Sequence, residues 1–228
     1  MSTEQDRTRR TEAFWGRQLD THVLLYPSED VVRFLARTGP LSAAIEARGL
    51  DVGFGSGRHL KLLMDHGYRA CGIELAANAI DVFRSHFGGH PRLGDLVQGD
   101  IATDEWPADS FRVAIAWGTL FLRGLRDMKR DLACIARLLE PGGRVCLNLR
   151  TRDNWFYGLG QELEPDYFQL DERAGPYSGA LYSFVDEPAA RELLRGAGLT
   201  IDNFEQSDAW RGEDRVRHSW WLVWAHKP

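Results

Sequence analysis

The sequence predicts an α/β fold, namely a doubly wound, mostly parallel seven-stranded sheet with an antiparallel C-terminal strand. Three observations support this prediction. Apolar segments typical of strands alternate with amphipathic helical segments over residues 41–150, a pattern that gives parallel strands joined by right-handed crossovers. A glycine-rich turn, "GFGSG", separates the first strand of that series from its first helix. Two further strand-like segments follow one another near the C-terminus, which favours antiparallel pairing.

The composition fits a single domain over residues 1–228. The chain has 228 residues, 43% of them hydrophobic, and can bury a full core. Its apolar runs are far shorter than the roughly 20 residues that cross a bilayer, and its first residues lack an apolar signal core. We therefore expect a soluble cytoplasmic protein that contacts no membrane. The net charge of −5 argues against a nucleic-acid partner, and the three widely spaced cysteines predict neither disulfides nor a zinc site.

Residues 1–40 are predicted to form a helical lid. The stretch "TEAFWGRQLDTHVLLYP" has apolar spacings that suit one or two short amphipathic helices. The following segment, "SEDVVRFLART", predicts a helix with Ser28 as its cap and acidic residues in its first turn. Gly39 and Pro40 are expected to end that helix.

Residues 41–150 are predicted to form a cofactor-binding core. In chain order, its strands and helices are expected at "GLDVGFGSG", "RHLKLLMDHG", "YRACGIEL", "AANAIDVFRSHFGG", "DLVQGDI", "FRVAIAW", "DMKRDLACIARLLEPGG" and "RVCLNL". Glu46, Arg48 and Gly49 stand where residues of the first strand belong, and these three residue types are poorly suited to a buried strand. We therefore expect that strand to be short or distorted.

The pattern changes after Arg150. Residues 151–185 contain eight aromatic side chains among glycines and prolines, with no helical period, which predicts an irregular or β-rich insertion. Residues 186–228 predict a helix at "EPAARELLRGAG" and two strands at "LTIDNFEQ" and "RHSWWLVWAHK". The second of these strands is the one expected to run antiparallel.

The glycine-rich turn indicates the kind of ligand. Glycine takes positive φ without penalty and lets a ligand approach the main chain. In dinucleotide-binding proteins the third glycine comes three residues after the second, a position that Arg58 occupies here. That spacing disfavours a pyrophosphate, as does the acidic Asp51 beside the turn. An adenosine compound with a cationic amino-acid tail fits better, because Glu74 at the end of the second strand offers two oxygens to the ribose hydroxyls.

From Ser28 to Leu149 the chain resembles the class I S-adenosylmethionine-dependent methyltransferases, whose fold is Rossmann-like. The family's acidic residue and glycine motif correspond to "DVGFGSG", its ribose-binding acid to Glu74, and its adenine-binding acid to Asp100 in "VQGDI". The segment "LLEPGGRVCLNL" resembles the family's turn before the fifth strand. The resemblance implies S-adenosyl-L-methionine as the donor and S-adenosyl-L-homocysteine as the product. It implies these cofactor-binding residues: Trp15, Tyr26, Asp51, Gly53, Phe54, Gly55, Gly57, Glu74, Leu75, Asp100, Ile101 and Trp117.

The methyl acceptor is expected to be a small organic molecule. Methyltransferases that act on nucleic-acid or protein amino groups often carry Asn or Asp, proline and an aromatic residue after the fourth strand, where this chain has "AWGT". The aromatic insertion suits an acceptor wall. The candidate acceptor-binding residues are Tyr26, Trp117, Arg150, Arg152, Trp155 and Tyr157. The two arginines could hold a carboxylate or phosphate, or form structural ion pairs.

No catalytic residue is assigned from the sequence. His22 and His218 are candidates for accepting a proton, although neither has supporting spacing. Methylation of oxygen or nitrogen in natural-product or sugar metabolism is the expectation that the resemblance carries, with no metal. The alternatives are a methyltransferase acting on a macromolecule, a non-catalytic donor-binding regulatory or partner subunit, and a nicotinamide-dependent oxidoreductase, which Arg58 disfavours. The oligomeric state is left open, with a homodimer among the choices.

Overall fold

The computed structural model describes residues 4–38, 47–213 and 215–228. Its helices are α1 Glu4–Thr21, α2 Glu29–Thr38, α3 Arg58–Asp65, α4 Ala79–Phe87, α5 Leu125–Leu138 and α6 Glu187–Gly196. Its strands are β1 Arg48–Val52, β2 Arg69–Glu74, β3 Leu93–Gln98, β4 Phe111–Ala116, β5 Leu139–Arg150, β6 Gln161–Glu164, β7 Tyr167–Gln169, β8 Leu181–Ser183, β9 Thr200–Arg211 and β10 Val216–His226. The predicted helix end at Gly39 and Pro40, Glu46, and the boundary between residues 40 and 41 lie outside the described residues.

The main sheet has seven strands in the order β3-β2-β1-β4-β5-β10-β9. The first five pair in parallel, and β10 is antiparallel to both of its neighbours. This confirms the predicted fold class. Chain order reverses between β1 and β4, so the carboxyl ends of those strands border the crevice where doubly wound sheets bind ligands.

Strand β1 is short, as its unusual residues predicted. Any side chain at Gly49 would meet Leu63 of α3, whose Cδ2 lies 2.9 Å from the position of a Cβ. Arg48 is accommodated in the strand because its guanidinium lies 4.8 Å from the Phe111 ring centroid and pairs with Asp95 at 2.9 Å. These contacts explain why a glycine and an arginine occur at these two positions of β1.

The strand β5 begins earlier than predicted. The sequence indicated a strand from Arg144, whereas the observed pairing starts at Leu139, which lies opposite Phe111. The "PGG" turn then interrupts the register, and Gly142 adopts a φ of +74°. Pairing resumes where Arg144 lies opposite Val113. The turn is thus a bulge within the strand, a feature that apolar patterning does not reveal.

The central sheet separates two layers of core. On one side, Ala114 packs in a cluster with apolar residues of α5 and α6. On the other, Val113 and Ile115 of the same strand pack with apolar residues of α2, α3 and α4. Alternation along a strand sends neighbouring side chains to opposite faces. The layers therefore share one sheet.

Two segments lie outside this framework. The insertion forms a separate antiparallel sheet, β6-β7-β8, which agrees with the β-rich prediction. The N-terminal segment forms one helix, α1, which begins earlier than predicted and ends before Val23. Ion pairs connect α1 to the insertion, through Arg7 and Glu164, and to α5, through Glu4 and Arg130. Within the described ranges, no helix has both the length and the apolar character needed to span a membrane.

Candidate active site

The carboxyl ends of the parallel strands open into a cavity of about 440 Å³. Along the sheet edge, the residues at these ends follow the strand order: Asp100 after β3, Glu74 on β2, Gly53 after β1, Trp117 after β4 and Arg150 on β5. All but Asp100 line the cavity. Further walls come from α1, from the loop after β4 and from the insertion.

The three glycines of the turn have different roles. All have positive φ, of +70°, +53° and +86° for Gly53, Gly55 and Gly57. A Cβ at Gly57 would lie 2.1 Å from the Phe83 ring, and one at Gly53 would lie 2.4 Å from the Thr119 hydroxyl. At Gly55 the nearest atom, a methyl of Leu19 in α1, is 3.8 Å away. The first and third glycines therefore permit packing, while at the second, which lines the cavity, a Cβ would make only ordinary van der Waals contact.

Glu74 is held by main-chain hydrogen bonds. Its Oε2 accepts from the N–H of Gly55 at 2.9 Å, and its Oε1 accepts from the N–H of Ala76 at 3.0 Å. Burial raises the pKa of Glu74, and these hydrogen bonds act in the opposite direction. Because each carboxylate oxygen has two lone pairs, Glu74 keeps acceptor capacity towards the cavity that it lines.

Asp51 lies beneath the turn, and only 1% of its surface is exposed. Its Oδ2 has no hydrogen-bond partner among the described residues. Burial raises the pKa of Asp51 to about 8, despite the opposing charge of Arg58. The structure thus contains a buried acceptor without a donor directly under the glycine turn.

Asp100 is engaged elsewhere. Its Oδ1 accepts from the N–H of Ala102 at 3.0 Å, and its Oδ2 pairs with Arg123 at 2.9 Å. Arg123 also pairs with the buried Asp131, whose pKa is raised to about 6 by burial. The side chain that lines the cavity here belongs to the next residue, Ile101.

Ten of the predicted site residues line the cavity, and eight do not. Those that do are Trp15, His22, Gly53, Phe54, Gly55, Glu74, Leu75, Ile101, Trp117 and Arg150. Those that do not are Tyr26, Asp51, Gly57, Asp100, Arg152, Trp155, Tyr157 and His218. Asp51 and Gly57 support the turn from below, whereas the acceptor candidates of the second group lie in other surroundings.

The acceptor candidates that do not line the cavity lie at the surface or contact other residues of the protein. Tyr26 is 85% exposed. Arg152 bridges Asp166, at 2.6 Å, and Asp186, at 2.8 Å, which realises the structural ion pair considered for it. Tyr157 is exposed and donates its hydroxyl to Asp166 at 2.9 Å. Trp155 packs against a neighbouring aromatic ring with a centroid separation of 4.1 Å.

Three histidines lie in or near the site. His22 is exposed and lines the cavity. His59, also a lining residue, accepts from the N–H of Ser28 at 3.2 Å, and burial lowers its pKa to about 3. His218 does not line the cavity; it lies 6.2 Å from the Trp155 ring centroid, and burial lowers its pKa too. His22 is therefore the candidate base with access to the cavity.

Several lining residues were not named individually from the sequence, although the segment "AWGTLFL" after the fourth strand was expected to line the reaction chamber. They come from the inner face of α1, the loop after β4 and the end of the insertion: Thr11, Gln18, Leu19, Thr119, Phe121, Arg123, Tyr177 and Tyr182. The aromatic composition of the insertion was a signal for the last two. The others depend on how α1 and the β4 loop pack, which local spacing does not encode.

Comparison with known proteins identifies the core. Residues 50–143 match the methyltransferase domain family. This segment is therefore similar to methyltransferase domains. An uncharacterised methyltransferase of Mycobacterium bovis is 30% identical over 129 residues, which cover 55% of this chain and 50% of the relative. The chain thus spans about half the length of the curated relatives that it matches.

Solved methyltransferases share the fold. A 1,6-didemethyltoxoflavin N1-methyltransferase of Burkholderia thailandensis, bound to 1,6-didemethyltoxoflavin and S-adenosylhomocysteine, has a TM-score of 0.72 at 20% identity, covering 100% of this chain and 91% of its own. An S-adenosylmethionine-dependent methyltransferase of Methanosarcina mazei has a TM-score of 0.69 at 18% identity, covering 89% and 99%. These likenesses confirm the fold predicted from the sequence, and both neighbours are methyltransferases that use or bind S-adenosyl compounds.

Proposed function

We propose that the protein transfers a methyl group from S-adenosylmethionine to an oxygen or nitrogen of a small organic molecule. The observation that carries this proposal is the continuous cavity of about 440 Å³ that runs from Glu74 past Trp117 to Arg150. One cavity of this size falls within the range of small-molecule sites. It offers separate ends for a donor and an acceptor, with α1 and the insertion as walls.

The end of the cavity at β1 and β2 fits the donor. Gly55 lines the cavity without a side chain, so a ligand can approach the main chain there, and Glu74 offers acceptors for ribose hydroxyls. Beneath the turn, the buried Oδ2 of Asp51, which has no hydrogen-bond partner among the described residues, would be stabilised by a cationic group nearby. Ile101 provides an apolar surface for the adenine ring, while Asp100 stays with Arg123. When bound, S-adenosylmethionine supplies a methyl group already activated by its sulfonium.

The protein's own contribution is then alignment and exclusion of water. Trp117 and Gly118 line the middle of the cavity, and Gly118 is fixed by its N–H, which donates to Asn148 at 2.7 Å. Trp15 of α1 forms part of the opposite wall. Where the acceptor must lose a proton, His22 is the residue that we assign to take it, since the lowered pKa of His59 makes that imidazole a poor base.

The small-molecule acceptor is favoured over two alternatives. The structural neighbour from Burkholderia binds 1,6-didemethyltoxoflavin, a small molecule, in the same fold. A macromolecular acceptor would have to reach the cavity past α1 and the insertion. A non-catalytic donor-binding subunit would need no space beyond the donor end, whereas here the cavity continues to β5.

A labelling experiment tests the proposal. The protein is incubated with methyl-tritiated S-adenosylmethionine and a bacterial cell extract, and the products are separated by ultrafiltration. We expect label in a new low-molecular-weight product, reduced at least tenfold by Glu74→Gln and unchanged by Glu140→Gln, a matched change at a surface glutamate paired with Arg112. Label in protein or nucleic acid would indicate a macromolecular acceptor. Donor binding without any transfer would indicate the non-catalytic subunit.

A further inference from the structure

Arg150 occupies an unusual place in the cavity. It ends β5 and is 95% buried, with a relative exposure of 5%. One strand, β4, separates β5 from β1 in the sheet, so the end of β5 is about 10 Å from the glycine turn at normal strand spacing. Arg150 therefore lies at the end of the cavity away from the predicted donor residues.

Aromatic rings surround the guanidinium. Its central carbon lies 4.1 Å from the ring centroid of Tyr182, 4.2 Å from Trp220, 4.6 Å from Phe121 and 4.9 Å from Phe156. Such rings hold a cation through their faces and fix the plane of the guanidinium. We refer to Arg150 and these four rings as the arginine cage.

Among residues 4–38, 47–213 and 215–228, the charge of Arg150 has no acidic partner. Three arginines line the cavity; Arg123 pairs with carboxylates at about 3 Å, and Arg58 interacts with Asp51. Arg150 has no carboxylate partner among the described residues. Its Nη1 donates to Asn154 at 3.3 Å, its Nε has no hydrogen-bond partner within the part of the chain that the structure describes, and burial lowers its pKa to about 10.

An unpaired buried cation is costly, and the cost is offset when an anion binds to it. The hydroxyl-bearing rings of Tyr182 and Tyr177 also line this end of the cavity and interact with the Arg150 charge. Burial raises the pKa of Tyr182 to about 12, so its phenol stays protonated and can donate at neutral pH. One guanidinium and two phenols thus converge as donors without a protein acceptor of negative charge.

We propose that the acceptor carries an anionic group, a carboxylate or a phosphate, that binds Arg150 with help from Tyr177 and Tyr182. This inference rests on the proposed function and names its substrate class. The anionic group at β5 leaves the remainder of the acceptor beside Trp117 and Gly118, between the arginine cage and the donor end. Arg150 would therefore determine both which acceptors enter and which of their atoms lies towards the donor.

Binding of simple probes tests the anion site directly. Benzoate, phenyl phosphate and the neutral benzamide are titrated calorimetrically into the protein, with and without saturating S-adenosylhomocysteine. We expect saturable binding of benzoate or phenyl phosphate at least tenfold tighter than that of benzamide. The stronger of the two anions identifies a carboxylate or phosphate acceptor.

Variants assign that binding to the arginine cage. Arg150→Met should weaken the anionic probe at least tenfold, and Tyr177→Phe, which keeps the ring, about threefold. Arg191→Met is the matched control, since Arg191 stacks on Phe204 at 4.1 Å but pairs with Glu187 outside the cavity; it should leave probe binding unchanged. All three variants should bind S-adenosylhomocysteine within twofold of the unmodified protein.

Two results would overturn the inference: benzamide binding as tightly as the anions, or full retention of anion binding in both Arg150→Met and Tyr177→Phe. Tyr177 is half-buried, so its variant keeps the test valid if Arg150→Met folds poorly. Failure of the proposed function is distinguishable, because tritium would then enter macromolecules or no product while the probe titrations remain independent of transfer.

Discussion

A single buried carboxyl group, that of Asp51, lowers the free energy of unfolding of the ligand-free protein. Its Oδ2 has no hydrogen-bond partner in the described part of the chain, and burial raises the pKa of this carboxyl group to about 8. Below about pH 4 the carboxyl is protonated in both the folded and unfolded states. Between pH 4 and 8 the unfolded state loses the proton while the folded state keeps it, so the free energy of unfolding falls as pH rises.

Asp51→Asn should therefore stabilise the protein without ligand. We expect the free energy of unfolding to rise on the order of 2 kcal/mol at pH 7, with a smaller gain at pH 5, because the amide never ionises. Urea denaturation at the two pH values measures the difference. A gain independent of pH would mean that the carboxyl does not titrate in this range.

The same substitution should weaken the donor. We expect S-adenosylmethionine to bind at least tenfold more weakly to Asp51→Asn, since Asp51 can lose its proton when a cationic tail binds nearby, whereas asparagine cannot ionise. Calorimetric titration measures the affinity, and Asp109→Asn, at a surface residue paired with Lys227, is the control. Unchanged affinity would separate Asp51 from the donor site altogether.

The part of the site that could be predicted from the sequence consists of residues that local motifs place at the ends of strands. The glycine turn and Glu74 fall where local sequence places them, at the ends of two strands beside the cavity. Arg152 and Tyr157 could not be assigned in the same way, because both bind Asp166, and the turn that brings Asp166 back is formed by the insertion sheet. The position of Tyr182 likewise depends on the insertion sheet, in which it lies opposite Phe168.

At the scale of elements, α4 packs closely against the turn between β1 and α3, and this packing requires glycine at position 57. Gly57→Ala would put a methyl group 2.1 Å from Phe83 of α4 in a backbone with φ of +86°. We expect a loss of roughly 3 kcal/mol in the free energy of unfolding, from backbone strain and overpacking together.

Gly67→Ala provides the matched comparison. Gly67 follows α3, has a φ of +93°, and has no heavy atom within 4 Å of the position of a Cβ. Only backbone strain then applies, so we expect a loss of about 1 kcal/mol. Urea denaturation of both variants measures the difference. Equal losses would show that packing against Phe83 contributes nothing.

One contact between helix α1 and the rest of the protein is made by Asn78, which precedes α4. Its Nδ2 donates to the carbonyl of Gly16 at 2.9 Å and to Asp20 at 2.7 Å. Asn78→Ala should loosen α1 and speed the dissociation of S-adenosylhomocysteine about threefold to tenfold, by analogy with other elements that close active sites.

Hydrogen exchange and stopped-flow dissociation measure the two effects. The control is Asn203→Ala, which removes a similar bond, to Glu205 at 2.9 Å, from β9. Faster exchange in α1 with unchanged dissociation would mean that α1 is a wall of the cavity without being its lid.

Element types were predictable where the hydrophobic period is regular, and boundaries were not. The stripe of apolar residues in α5 gave the helix, and its observed end at Leu138 is where β5 starts. Sequence could not show that β5 continues through "PGG", because the bulge depends on pairing with Phe111 of β4. Likewise, the pairing of β6, β7 and β8 depends on contacts distant from any periodic signal.

For the whole molecule, the shared sheet argues that the two core layers unfold together. Ala114 belongs to one cluster and Ile115 to the other, so neither layer keeps its packing if the sheet is lost. The cavity adds a further link, since α1, the strand ends and the insertion all contribute to its walls. A ligand that binds there should stabilise all of these parts at once.

Calorimetry can test this coupling. We expect one unfolding transition, and S-adenosylhomocysteine at a hundred times its dissociation constant should add about 2.7 kcal/mol, raising the midpoint by roughly 5–10 °C for a domain of this size. Glu74→Gln should show a smaller shift at the same ligand concentration, because it weakens the site without altering the sheet. Two transitions, only one of which moves with ligand, would divide the chain into independent units and contradict the single domain predicted over residues 1–228.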